Sequence, residues 1–237
     1  MSKTTPRILG LIPARGGSKG IINKNIVKLN DQPLIAYTIC AAKQSSFLND
    51  IIVSTDSQQI ADIALEFGAK IPFLRPSKLA TDSSGAVGVV EHCIDFFKAN
   101  QHVFDYIVYL QPTSPLRSAD DIDQAINVIL QSDADSLVSV IDVPHQFGIE
   151  SLMTEQSDSQ EKWLTPISDD NAFSRQKKPH YVARNGPAIL ITKPETIKQF
   201  GNLYGNKIAS YKMPIHRSID IDGPEDLDYA SWLIQRR

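Results

Sequence analysis

The chain has few features that would anchor it to a membrane or hold it together by cross-links. Cys40 and Cys93 are the only cysteines in 237 residues. Far apart and set in apolar, helix-like surroundings, they read as buried thiols and not as a disulfide or a metal site. No apolar run reaches the ~18 residues of a membrane-spanning helix, and the opening MSKTTPR has no apolar signal core, so a soluble, cytoplasmic protein is expected. A net charge of −3 leaves no broad basic face for nucleic acid. His145, His180 and His216 fall in loops without zinc-like spacing and read as solvated or packing side chains. Internal repeats and low-complexity tracts are missing. So are the Walker loop G-x-x-x-x-G-K-[ST] and the dinucleotide fingerprint G-x-G-x-x-G, which makes a Rossmann dehydrogenase improbable.

What is present is a hydrophobic content of 42%, enough for one sizeable core. Short apolar strands alternate with amphipathic helical patterns, the mark of an α/β fold with a mainly parallel sheet. Strands are expected at Ile8 to Ile12, Asp50 to Thr55, Ile71 to Leu74, in YIVYL, in SLVSVIDV, at Ala188 to Thr192 and at Lys207 to Lys212. Between them lie helices from Pro33 to Ser45, from Ser57 to Gly68, through Val87 and Ile94, from Ser118 through Ile129, and from Pro224 to Gln235. From Pro144 to Asn185 the pattern breaks down, so one domain with an excursion over about 144–185 is expected.

The first strand stops at Pro13 and runs into ARGGSKGIINKN. Gly16, Gly17 and Gly20 let the backbone turn sharply and approach an anion, while Arg15, Lys19 and Lys24 bring positive charge. That suits a polyphosphate; the plainer alternative is a Gly-rich turn with solvated lysines. In SIDID near the C-terminus, strand alternation places Asp220 and Asp222 on one face and Ile219 and Ile221 on the other. Two neighbouring carboxylates call for a cation, and Mg²⁺ is held by such hard oxygens together with phosphate oxygens. A solvated acidic turn is the other reading. Gln111 to Arg117, QPTSPLR, follows the most hydrophobic strand, and its two prolines make a rigid loop.

IPARGGSKGIINKN resembles the N-terminal signature of the sugar-activating cytidylyltransferases, in particular the acylneuraminate (CMP-sialic acid synthetase) family. RPSKLATDSS, QPTSPLR, SRQKKPHYVARNGPAILI and SIDIDG extend the resemblance over nearly the whole chain. It implies a Rossmann-like three-layer α/β/α fold with a protruding dimerisation segment, hence a homodimer. It also implies transfer of CMP from CTP to a nonulosonic acid, with Mg²⁺ as cofactor. The nucleotide would be held by Arg15, Gly16, Gly17, Ser18, Lys24, Asn25, Arg75 and Ser84, and the metal by Asp220 and Asp222. Arg15 and Lys24 would stabilise the triphosphate, and Asp222 would accept the proton of the sugar hydroxyl. Gln111 and Arg175 would meet the sugar, Arg175 taking its carboxylate, although Arg184 before Asn185-Gly186 competes for that role. Arg117 reads as structural, and Asp82 has no assigned part. The stretch after Val143, PHQFG, resembles legionaminate-type more than neuraminate-type members, with Phe147 as an apolar wall. N-acetylneuraminate stays the alternative substrate, and a non-catalytic nucleotide-sugar-binding module the alternative of another class.

Overall fold

The computed structural model describes residues 5–18, 20–81, 84–157, 161–168 and 179–236. Its first strand, β1 (Ile8–Pro13), is apolar on both faces, as a strand covered on both sides must be. It pairs in parallel with β4 (Asp50–Ser54) and β5 (Tyr106–Tyr109). Beyond β5 the sheet is mixed. The strand β10 (Leu190–Thr192) runs antiparallel to both β5 and β6 (Ser136–Asp142), and β11 (Ile208–Lys212) closes that edge parallel to β6. The order is β11-β6-β10-β5-β1-β4, with β9 (Val182–Arg184) pairing antiparallel to the far end of β6. Two ribbons stand apart: β2 (Lys28–Leu29) with β3 (Gln32–Pro33), and β7 (Met153–Ser157) with β8 (Lys162–Pro166).

Strand alternation divides the core into two layers. Ile8, Ile12, Val53, Val108, Leu137 and Ile191 meet α1 (Leu34–Gln44), α2 (Gln58–Glu66) and α4 (Ala119–Leu130) on one face. Leu9, Leu11, Ile52, Ile107, Tyr109 and Leu190 meet α3 (Ala86–Ala99) and α5 (Pro194–Phe200) on the other. This is the three-layer arrangement expected from the sequence. A smaller core joins Leu29, Leu34 and Ile221 to Ala230 of α6 (Pro224–Ile234), and so fastens the chain's end beneath the Gly-rich loop. Among the described residues no helix is long and apolar enough to cross a membrane.

Three local expectations change. Ile71 to Leu74 is not a strand: only Lys70 bridges Ile52, and Pro72 has no N–H with which to continue the pairing. Residues 218–222 are irregular, yet the alternation survives because Ile219 and Ile221 pack into the small core while Ile221 N–H donates to Thr113 O at 2.8 Å. The short helix α5, ended by Gly201 at φ 65°, had no counterpart in the sequence reading. Within the excursion β7 and β8 pair as a hairpin whose two strands are exposed throughout, and the chain rejoins the sheet at Val182, before Asn185.

Candidate active site

The parallel strands β1, β4 and β5 all point their carboxyl ends at one edge, where an open α/β sheet binds ligands. An open cavity of about 510 Å³ lies there. Arg15, Ser18, Lys24, Asn25, Arg75, Ser84, Gln111, Asp220 and Asp222 line it, so residues more than 200 positions apart converge. Gly16 and Gly17 do not line it. Arg175, Lys19 and Asp82 lie outside the described residues.

The loop after β1 is held from several sides. Gly16 N–H donates to Asp56 Oδ1 at 3.0 Å, which ties the loop to the end of β4. Buried Asn25 donates from Nδ2 to Arg15 O at 2.9 Å, fixing the backbone that carries the arginine. Gly20 passes so close to the C-terminal stretch that a Cβ there would stand 2.5 Å from Asp222 O. Lys24 reaches across the same gap, its Nζ donating to Ile221 O at 2.8 Å and to Asp222 Oδ1 at 3.1 Å.

The two aspartates differ in environment. Asp222 presents a side chain that is 83% exposed, at the mouth of the cavity. Asp220 is recessed, and its Oδ1 is buried without a hydrogen-bond partner among the described residues. Burial raises its pKa above the usual carboxylate range, a hydrogen bond from Thr113 opposes this, and the charge of Asp222 adds to the rise. A buried carboxylate oxygen with no donor is costly unless a cation or proton meets it. The donor set therefore fits a hard divalent cation. Among the described residues no three His, Cys, Asp or Glu side chains gather around one point, so the two carboxylates would need substrate oxygens to complete a Mg²⁺ shell.

The opposite wall is built from the segment after β4 and the start of α3. Arg75 is buried, donates from Nη2 to Ser54 O at 2.5 Å and from Nη1 to Leu79 O at 3.3 Å, and burial lowers its pKa. Ser84 hydrogen-bonds within its own loop, to Lys78 O at 3.0 Å and Thr81 Oγ1 at 2.7 Å. Arg117 lies apart from the cavity lining. It is 2% exposed and donates to Ala188 O, Gln111 O and Thr38 Oγ1, holding the QPTSPLR loop from behind, as a structural residue does. Burial brings its pKa down to about 9, against the pull of Asp121. Arg184 is exposed on β9, where it stacks on Tyr204 and donates to its hydroxyl at 2.7 Å, away from the cavity lining. Phe147 is exposed on the excursion and does not line the cavity either.

Sequence reasoning passed over several residues of the site. Tyr109, whose pKa burial raises to about 12, lines the cavity two positions before Gln111; strand alternation alone would have indicated it. Gly186, at φ 123°, forms part of the wall about 3.5 Å from Asp220 Oδ2 measured from where its Cβ would be. Asp226 accepts from the N–H groups of both Asp222 and Gly223 at 2.9 Å, which caps α6 and fixes the backbone of the acidic stretch. Pro224 followed two residues later by Asp226 was the available signal for that cap.

Comparison with known proteins bears on this geometry. The model of a family described as cytidylyltransferase matches residues 9–237. A CMP-N,N'-diacetyllegionaminic acid synthase of Legionella pneumophila is 37% identical over 231 residues, covering 97% of each chain. A pseudaminic acid cytidylyltransferase of Campylobacter jejuni is 34% identical over 225 residues, covering 95% of each. Among solved structures, a CMP:2-keto-3-deoxy-manno-octonic acid synthetase complexed with CTP superposes with a TM-score of 0.70 at 15% identity, over 97% of this chain and 99% of that one, a likeness of fold.

Proposed function

The chain belongs to the cytidylyltransferase family, and on that premise we propose that it transfers CMP from CTP to a nonulosonic acid, N,N'-diacetyllegionaminate by preference. The observation that carries the reading is the recessed Asp220, whose Oδ1 has no hydrogen-bond partner among the described residues, beside exposed Asp222 with its Lys24 contact, in a cavity that Arg15 also lines. A non-catalytic binding module has no use for a cation site at that point.

The triphosphate runs along Arg15, Ser18 and Lys24, and the nucleoside lies toward Arg75 and Ser84. Gly16, Gly17 and Asn25 shape the loop that receives it. Asp220 and Asp222 would hold Mg²⁺, which when bound would supply neutralisation of the charge around the α-phosphate. The sugar occupies the side of Gln111, and the family resemblance gives its carboxylate to Arg175. Its anomeric oxygen forms the new bond to the α-phosphorus as the bond to the bridging oxygen breaks, and pyrophosphate leaves with that electron pair. Asp222 accepts the hydroxyl proton. Such a step asks for alignment and charge neutralisation more than covalent help.

The enzyme acts as a cytoplasmic homodimer, where CTP is at hand. Phe147, Leu152, Met153, Trp163, Leu164 and Ile167 are all exposed on the excursion, and packing it on a second copy covers them. That packing also carries Phe147 toward the partner's sugar site, where it forms the apolar wall that favours the methyl end of legionaminate. Steady-state assays with CTP and Mg²⁺ test the preference: kcat/KM for N,N'-diacetyllegionaminate is expected to exceed that for N-acetylneuraminate by roughly 10- to 200-fold. An equal or higher value for N-acetylneuraminate overturns the choice of sugar.

A further inference from the structure

We propose that Lys24 and the divalent cation compete for Asp222, so that the site takes up metal only together with the triphosphate. This rests on reading Asp220 and Asp222 as the metal ligands. The structure assigns Lys24 an unusual position for a phosphate-binding lysine. Its ammonium is anchored on the main chain, 2.8 Å from Ile221 O, and stands 3.1 Å from Asp222 Oδ1. The two partners are unequal: the lysine side chain is 16% exposed and the aspartate 83%. A solvated surface pair would be weak and mobile. Here the cation is recessed against a carbonyl oxygen, and the carboxylate comes to it.

Several neighbours hold this arrangement in place. Ile221, whose carbonyl receives the ammonium, is buried in the small core, and its own N–H is tied to Thr113 O. Asp226 accepts the N–H of Asp222, so the backbone on either side of the carboxylate is fixed. Gly20 lies against Asp222 O and leaves that stretch little room to retreat from Lys24. A metal ion bound to Asp222 would therefore come to rest within a few ångströms of a fixed ammonium, and like charges at that range repel strongly. Triphosphate oxygens between them reverse the sign of the environment for both cations. Nucleotide and metal then bind with positive coupling, and by linkage each raises the affinity of the other by the same factor. In functional terms, the site does not collect free metal ions ahead of CTP.

Mn²⁺, followed by the loss of its free-ion electron paramagnetic resonance signal, is a suitable probe because its binding can be read without turnover. In the absence of nucleotide, Lys24→Gln removes the charge while keeping an amide for Ile221 O. It is expected to bind Mn²⁺ at least about tenfold more tightly than the wild-type protein. Adding Asp222→Asn to that variant is expected to abolish the gain, and Lys24→Arg, which keeps the charge, is expected to show none. The enhancement of Mn²⁺ binding by CTP is expected to shrink in Lys24→Gln by the factor gained without it. Unchanged or weaker Mn²⁺ binding by Lys24→Gln overturns the competition while leaving the metal site standing, provided that the wild-type protein retains Mn²⁺ with CTP. If the wild-type protein retains no Mn²⁺ even with CTP, the metal reading of the two aspartates falls, and this inference falls with it.

Discussion

Lys24 and Asp222 touch each other, yet their removal is expected to affect different steps. Arg15→Ala or Lys24→Ala takes positive charge from the triphosphate and is expected to weaken CTP binding, measured by calorimetry. Asp222→Asn keeps the shape and loses the proposed proton acceptor, so CTP binding measured without metal stays largely intact while kcat falls by roughly 10²-fold or more. A wild-type turnover rate for Asp222→Asn contradicts the assignment. Asp121 carries a different kind of consequence. Fully buried at the start of α4, it accepts from Arg217 Nε at 2.9 Å, Arg217 Nη2 at 2.8 Å and Tyr211 Oη at 3.0 Å. Burial works to raise its pKa, but hydrogen bonds from Arg217 and Ser118 outweigh that and hold it below the usual carboxylate value. With the folded value depressed, the stabilisation is full above the unfolded pKa of about 3.9 and is lost as pH falls through the folded one. Tm is therefore expected to drop steeply on acidification below about pH 4, and Asp121→Asn is expected to flatten that limb. Identical acid slopes for the two proteins contradict the account. Residue chemistry of this second sort was not legible in the sequence: Asp121 and Arg217 meet only because β11 lays the chain back beside α4.

At the scale of elements, the glycines of the loop separate into those that make space and those that do not. Gly20 closes on the carbonyl of Asp222, whereas a Cβ on Gly17 would meet nothing among the described residues within 4 Å. Gly20→Ala must push the loop and the acidic stretch apart. It is expected to cost about 1–3 kcal/mol, seen as a lower Tm, and to weaken CTP binding. Gly17→Ala is expected to keep the wild-type Tm, and an equal loss of Tm in both variants contradicts the packing described. The polar and apolar alternation of residues 218–222 was legible even though no strand forms there, because burial of Ile219 and Ile221 enforces the same facing that a strand would. The apolar run Ile71 to Leu74 misled because its sequence is strand-like while Pro72 denies it a ladder. Short α5 has only seven residues and too little periodicity to announce itself.

At the scale of the molecule, strand and helix alternation was enough to anticipate an α/β fold with a mainly parallel sheet, the family resemblance supplied the three layers, and Ser57 and Ser118 do cap α2 and α4 as expected. The convergence of Arg15, Arg75, Gln111 and Asp220 was legible through the rule that ligands gather at strand ends, which needs the sheet order only in outline. The proposed covering of the excursion by a second copy is tested by charge on its hairpin. Trp163→Glu with Leu164→Glu is expected to convert a dimer into a monomer by light scattering at micromolar concentration and to weaken sugar binding. A wild-type protein that is monomeric and fully active under those conditions contradicts the proposed assembly.

The central claim is that the sugar oxygen attacks the α-phosphorus of CTP, and ³¹P nuclear magnetic resonance of the reaction mixture observes that atom directly. With CTP, Mg²⁺ and N,N'-diacetyllegionaminate, the account predicts that the phosphodiester signal of a CMP-sugar and the signal of pyrophosphate grow in equal amounts, and that neither appears without the sugar. Inorganic phosphate and CDP in their place, or a CTP spectrum that the complete mixture leaves unchanged, would contradict it.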